Sequence, residues 1–498
     1  MRLSKLVEGL RVIKALREDV FERTEVFWLS ADSRECRENS LFFCFKGENI
    51  DSHAYATEAV KKGAVALVVE RKLSLDVPQL VVENAREAMA LIAANFYGNP
   101  SENLKIIGIT GTNGKTTTSY MLASIFEKAG KKTGVIGTLG IKFGSKQLSV
   151  DLTTPDPIAL QKTLAEMMLC GVEYVVMEVS AHALYYKKTA GVRFCACIFT
   201  NLTQDHLDFF KTMDAYAVAK STLFLPNVCP LAVLNGDDDR GRTIANQREA
   251  QAEKNQAVKT VFYGLHTPSD VFAVVTDETL LSTECMLNVN DRLCRVSLSL
   301  TGKHNVYNAL AAAACADALG ITSEEIEEGL TAIKAVKGRL EKVGETNGAQ
   351  IFVDFAHTPD GLGKSLDSLR LHCKGRLLCL FGCGGNRDKT KRPLMGEIAA
   401  KKSDFTVLTS DNPRYEDPLD IITDIEGGYR RFSVKYVVVP QRQKALEYAL
   451  SFLKKGDILL VAGKGGEEYQ EIMGIKYPFN DQAIIEKLLE KKGNLPLS

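Results

Sequence analysis

From Leu104 onward, short and nearly unbroken apolar runs alternate with helix-length amphipathic stretches. "LKIIGIT" reads as a strand buried on both faces. "TTTSYMLASIFEKAG" sets Met121, Leu122, Ile125 and Phe126 on one helical face, with Gly130 as C-cap. Further strands are predicted at "GVEYVVMEV", "CACIFTNL" and "PLAVLNG". This alternation predicts a mostly parallel sheet covered by helices. Residues 237 to 260 are polar and helix-prone, and read as a surface excursion. Residues 270 to 300 alternate apolar and polar positions, as half-exposed antiparallel strands do. "NVYNALAAAACADALG" is then a small-residue helix packed against the sheet.

The pattern changes near Val336-Lys337-Gly338. "AQIFVDFA", "RLLCLFG", "DFTVLTS" and "DILLVAG" are strands that each run into a polar or Gly-rich loop. Ligands of open α/β sheets gather at the carboxyl ends of strands, so "AHTPD", "GCGGNRDKTKR", "SDNPR" and "GKGGEEYQ" are where chemistry is expected. The first hundred residues mix short strands and helices, such as "SLFFCFKG" and "AVALVVE", and close on a Gly/Pro/Asn-rich linker, "ANFYGNPSENLK". With 498 residues the chain is too long for one core. We expect three α/β domains: 1–101, 102–335 with a phosphate loop and a mostly parallel sheet, and a Rossmann-like 336–498.

Composition narrows the function. Lys+Arg and Asp+Glu both count 62, a zero net charge that argues against a nucleic-acid or anionic-membrane partner. The twelve cysteines are scattered without a CxxC pair, and read as buried free thiols of a reducing compartment. "MRLSKLVEGLRVIKALRED" is charged throughout, unlike a signal peptide, and no run approaches the roughly 18 apolar residues of a membrane span. A soluble, cytoplasmic protein is expected.

Several motifs carry chemistry. In "GTNGKTTT", backbone N–H groups from Gly111 through Thr112, Asn113, Gly114, Lys115 and Thr116 would wrap a phosphate at a helix N-terminus. Lys115 would neutralise the terminal phosphates, and the Thr116 hydroxyl would reach Mg²⁺. The match to the phosphate-loop signature is imperfect: Ile109 holds its first glycine position and Gly108 lies one residue upstream. Glu178 and His206 close two neighbouring strands and suit a divalent cation, although a solvated glutamate and a structural histidine are the ordinary alternatives. Lys220 lies on a helix, where a solvated surface lysine is the usual outcome. Arg339 and His357 could equally be an ion-pair partner and a loop histidine. In "SDNPR", Asp411 and Arg414 flank Asn412 and Pro413, an arrangement that holds a zwitterionic amino acid or merely caps a turn.

Taken together, "GTNGKTTT", "TTPD", "MEVSAHAL", "TNLTQDHLD", "AYAVAK", "NVYNALAA", "KGRLE", "DFAHTPD", "FGCGGNRDKTKRPLM", "SDNPR" and "AGKGGEEYQ" occur in the order seen in the Mur ligases, which the chain resembles over nearly its whole length. The resemblance is weakest before residue 100, where "ADSRECRENSLFFCFKG" is similar to the family's uridine-nucleotide segment. It implies an ATP-dependent peptide ligase of peptidoglycan precursor synthesis. Its substrates would be ATP, UDP-MurNAc-L-Ala-D-Glu and meso-diaminopimelate, and Mg²⁺ its cofactor.

By the same resemblance, residues 111–117, ending at Thr117, hold ATP together with Asn305, Asn308, Arg339 and His357. Thr116, Glu178 and His206 handle magnesium, joined by Lys220 as a CO₂-derived carbamate. Ser33, Thr153, Thr154, Ser180 and Lys188 would contact the UDP-muramoyl dipeptide. Arg387, Asp411, Asn412, Pro413, Arg414, Gly463 and Glu467 would contact diaminopimelate. Lys188 stands where the family often has Arg, Gly466 where it usually has His, and Ser52 where it usually has Gly. A monomer is expected. The alternatives are a lysine-adding synthetase, a ligase adding D-Ala-D-Ala, a folylpolyglutamate synthetase, or a non-catalytic nucleotide-dependent switch.

Overall fold

The structure, a computed structural model, describes residues 1–47, 50–252, 258–289 and 291–493. It is α/β throughout and forms two compact units: residues 1–108, 131–197 and 222–230, and residues 109–130, 198–221 and 231–498.

In the first unit, five strands form a sheet in the order Lys14–Leu16, Gln79–Val81, Ala64–Val69, Ser40–Phe43, Trp28–Ser30. Side chains alternate between its faces. Leu41, Phe43, Ala66 and Val68 pack under helix Ala85–Phe96, while Phe42, Leu67 and Val69 pack with Ala56 and Ala59 of helix Ala56–Lys61. The same unit pairs strand Tyr174–Glu178 in parallel with Thr133–Gly137, which continues antiparallel into Gly140–Phe143 and Lys146–Leu148. Helix Pro157–Leu169 starts with proline at its first turn, where the missing N–H costs nothing.

In the second unit, helix Lys115–Lys128 buries Met121, Leu122, Ile125 and Phe126 completely, and Gly130 follows at φ 71° as expected. Two helices pack on it. Lys303–Ala318 buries all its alanines but Ala318, and Ser323–Ala332 begins with a Thr322/Glu325 capping box and ends close enough for Ser124 to donate to Gly329 O at 2.7 Å. Leu231–Asn235, Lys259–Gly264 and Val271–Glu278 run parallel, and Thr283–Val289 and Arg292–Leu298 complete an antiparallel meander. Within the 237–260 stretch, helix Asp239–Gln251 is no free excursion: it docks through Ile244, Ala245 and a buried Arg248. Residues 253–257 of that stretch lie outside the described residues.

The chain from Glu341 builds a six-stranded sheet in the order Glu341–Thr346, Ala349–Asp354, Ile458–Ala462, Leu377–Phe381, Phe405–Leu408, Lys435–Val438, parallel except for the first pair. Helices Pro359–Arg370, Lys391–Lys402 and Pro418–Glu426 cover one face, and Arg442–Ser451 and Asp481–Gly493 the other. Among the described residues no helix is long and apolar enough to cross a membrane.

Candidate active site

The phosphate loop opens the helix Lys115–Lys128. Gly114 sits at φ 88°, and a Cβ there would collide with the side-chain oxygen of Asn308, so only glycine fits. Asn201 grips the loop: its carbonyl oxygens accept from Asn113 N and Thr112 N, both at 2.9 Å, and its amide donates to Asn113 O at 3.0 Å. Lys115 donates to the Gly111 and Thr112 carbonyls at 2.9 Å. Arg339 lies over the Phe355 ring and donates to the Thr116 hydroxyl at 2.8 Å. Asn308 receives Thr118 Oγ1 at 3.3 Å and donates to Asn305 at 3.2 Å.

Lys220 is not a solvated surface lysine. Helix Met213–Ser221 buries it to 1% exposure and aims Nζ at Gly111 O, 2.8 Å away, beside the Tyr216 ring. Burial, then the nearby Lys115 charge, push its ammonium well below the usual lysine range, with Asp205 opposing them.

Asp205 is the hub of the next layer. Its Oδ1 accepts from Lys391 at 2.9 Å, while His206 Nε2 and His357 Nε2 lie 3.3 and 3.5 Å from Oδ2. Burial opposes its ionisation, yet Lys391, His357 and His206 outweigh it and hold the carboxyl well below its ordinary range. His206 takes a left-handed backbone, φ 56°, at the start of a single helical turn. Two further links reach the chain beyond residue 350. Asn113 donates to Asp360 at 2.9 Å, and Gln204 donates to the Thr390 hydroxyl at 2.9 Å.

At the carboxyl ends of the last sheet, Asp411 Oδ1 accepts from Asn412 N at 2.6 Å. Asn412 donates to Glu467 at 2.9 Å, and the fully buried Lys464 binds both Asn412 Oδ1 and Glu467 Oε2, at 3.0 and 2.8 Å. Gly463 packs so closely on Asp411 that a Cβ would lie 2.5 Å from its Oδ2. Pro413 and Arg414, the latter at φ 52°, turn beside the loop that carries Gly384, Gly385 and Arg387. The turn thus carries a carboxylate, an amide and a guanidinium, with Glu467 held beside it by Lys464, a set of opposite charges suited to a zwitterion.

In the first unit, Glu178 is buried to 1% and accepts from Thr138 N at 2.9 Å and Thr138 Oγ1 at 3.1 Å. The Thr138 hydroxyl also meets Thr153, and Thr154 binds Glu178 O at 2.9 Å and Ser180 N at 3.0 Å. Lys188 pairs with Asp156 at 2.7 Å, and Ser33 donates to Glu58 at 3.4 Å. The alternative of a solvated Glu178 does not hold. Among the described residues no three His, Cys, Asp or Glu side chains gather as a metal site. Thr116 and Glu178 each carry oxygen atoms, the donor type that Mg²⁺ takes.

Sequence reasoning did not single out Asp205, Lys391, Lys464 or Asn201. Asp205 precedes His206 in "TQDHLD", and Lys464 sits between glycines at a strand end, the two signals that were there to be used.

A phosphate loop, a buried lysine beside it and a turn carrying opposite charges suit an ATP-dependent ligase. The chain belongs to the Mur ligase family: residues 26–97 match its catalytic domain profile, 109–316 the Mur ligase middle domain and 338–465 the glutamate ligase domain. It is 42% identical to the UDP-N-acetylmuramoyl-L-alanyl-D-glutamate–2,6-diaminopimelate ligase of Geobacillus kaustophilus, with 94% of this chain and 96% of that protein covered. The Bacillus velezensis protein of the same name is 40% identical, covering 99% and 100%. A solved ligase structure of that name superimposes with a TM-score of 0.70 at 27% identity, covering 99% of this chain and 100% of the other.

Proposed function

We propose that the chain uses ATP to phosphorylate the γ-carboxylate of the D-glutamyl residue in UDP-MurNAc-L-Ala-D-Glu, and joins the product to meso-diaminopimelate. A carboxylate resists amines because oxide cannot leave. Once phosphorylated, that oxygen departs as phosphate with the C–O electron pair after the amine nitrogen has bonded to the carbonyl carbon. The protein's task is alignment and charge stabilisation.

Residues 111–117 hold the phosphates against the helix N-terminus. Arg339 and Lys115 supply positive charge, and Asn305, Asn308 and His357 complete the ATP cleft. Thr116, Glu178 and His206 would hold Mg²⁺, which when bound neutralises the phosphate oxygens. Lys220 fits carbamylation by CO₂: its depressed basicity leaves a nucleophilic amine, and the carbamate nitrogen keeps one N–H for Gly111 O. The anion so formed would offset Lys115. Ser33, Thr153, Thr154, Ser180 and Lys188 bind the UDP-muramoyl dipeptide. Arg387, Asp411, Asn412, Pro413, Arg414, Gly463 and Glu467 bind diaminopimelate, with Arg414 on its distal carboxylate. Residues 1–101, 102–335 and 336–498 serve as uridine-nucleotide, ATP and amino-acid domains of a cytoplasmic monomer, a setting consistent with twelve free thiols.

One observation carries this reading. Within the second unit a polar chain runs from the phosphate loop through Asn201, Gln204 and Asp205 to Thr390 and Lys391, and so to the loop that flanks Arg414. Mass spectrometry of a reaction holding ATP, the UDP-MurNAc dipeptide, diaminopimelate and lysine tests it. The expected product is the diaminopimelyl amide with one phosphate per bond, and phosphate release without any amide overturns the proposal.

A further inference from the structure

A two-stranded hairpin, Tyr469–Ile472 and Ile475–Pro478, runs beside the turn at Arg414. Its backbone fixes the arginine: Arg414 N donates to Glu471 O at 3.0 Å, and Met473 N donates to Arg414 O at 2.7 Å. The hairpin also reaches the side chain. Arg414 Nε donates to Glu471 Oε2 at 3.0 Å, and Nη1 donates to Gly385 O at 2.9 Å. Side-chain exposures of 17% and 21% mean that solvent screens this pair only partly.

A second cation shares the spot. Gly384 lies between two guanidinium-bearing side chains: a Cβ there would come within 2.9 Å of Arg414 Nη1 and 3.7 Å of Arg387 Cγ. Arg387 is exposed, and it feels both the Arg414 charge and the opposing carboxylate of Glu471. Glu471 is thus a carboxylate acting on both arginines. A guanidinium with no partner would reject any ligand that lacks a matching carboxylate. Here the protein supplies one such carboxylate itself, at Nε, while Gly385 O accepts from Nη1.

Building on the amine-ligase reading above, we propose that Glu471 is a positioning residue that sets amine selectivity. Its carboxylate neutralises part of the Arg414–Arg387 charge, weakens the pull on a distal carboxylate, and lowers the penalty for a diamine without one. Glu471→Gln separates charge from geometry, because the amide oxygen still accepts from Arg414 Nε. With ATP and the UDP-MurNAc dipeptide fixed, kcat/KM is measured for diaminopimelate and for L-lysine in both proteins. The variant is expected to raise the diaminopimelate-to-lysine ratio by about tenfold or more, mostly through the two KM values, with the KM for ATP unmoved. An unchanged or lower ratio overturns the inference, and so does a rise in the KM for ATP in step with the amines, which marks a folding effect. A wild-type protein that joins neither amine overturns the ligase reading itself. One that joins diaminopimelate with an unmoved ratio overturns only the role of Glu471.

Discussion

The ammonium of Lys391 lies 2.9 Å from Oδ1 of Asp205, and the two side chains are 7% and 4% exposed. Lys391 is the first residue of helix Lys391–Lys402, whose first turn carries no acid and two bases. A cation there opposes the helix dipole. Asp205 compensates for Lys391, and Glu416 and Asp424 compensate for the fully buried Arg392. The helix start is therefore positioned by carboxylates from other segments rather than by its own cap.

Removing one member of that pair leaves the other buried and uncompensated. Asp205→Asn is expected to destabilise the protein by about 3–5 kcal/mol in urea denaturation. Adding Lys391→Met should recover most of the loss. If the double variant is as unstable as the sum of the two single ones, the pair is not coupled.

Lys220→Ala removes the buried amine beside Gly111. Turnover is expected to fall by about 10- to 100-fold, the scale of a lost metal-supporting group. Added acetate or formate should restore part of it by replacing the anion. Full activity in the variant rejects the carbamate.

Replacing the fork of Arg414 by an ammonium loses the planar geometry while keeping the charge. In Arg414→Lys, steady-state kinetics are expected to show the KM for diaminopimelate rising at least tenfold above any change in the KM for ATP. Equal rises for both substrates would place Arg414 outside the amine pocket.

Acid should weaken the helix start described above. The Arg392 guanidinium holds Glu416 down from 4.5 to about 2, against the opposing effect of burial. A carboxyl depressed in the folded state stabilises fully above its unfolded value, and that contribution is lost as pH falls through the folded one. At pH ~6 Glu416→Gln is therefore expected to be less stable than the wild type, with the gap closing between about pH 4.5 and about pH 2. Denaturant titrations at several pH values measure it, and a gap independent of pH defeats the assignment.

Strands such as Lys105–Thr110 and Ile458–Ala462 were legible because burial on both faces leaves a continuous apolar run. The helix Lys115–Lys128 was legible from its single apolar face. Lys220 was legible only by resemblance, since nothing in its local spacing distinguishes a buried lysine from a solvated one. Asp205 and Lys391 stand 186 residues apart, so no window of sequence could pair them. The docking of helix Asp239–Gln251 was hidden for a related reason: its buried face is made of Gly241, Ile244, Ala245 and an arginine, which reads as polar.

The free thiols are spread over the hydrophobic cores. Cys36 and Cys44 pack in the core beside the N-terminal sheet, Cys285 and Cys294 lie in the antiparallel meander, and Cys379 and Cys383 pack in the core of the last sheet. Burial raises each of them, Cys44, Cys285 and Cys383 to about 12, whereas Cys170 is exposed. Such a sulfur meets an alkylating reagent only during excursions that expose its surroundings. Peptide-resolved alkylation over time would thus clock the breathing of every layer separately, with native sulfur atoms as the reporters and Cys170 as the instantaneous reference.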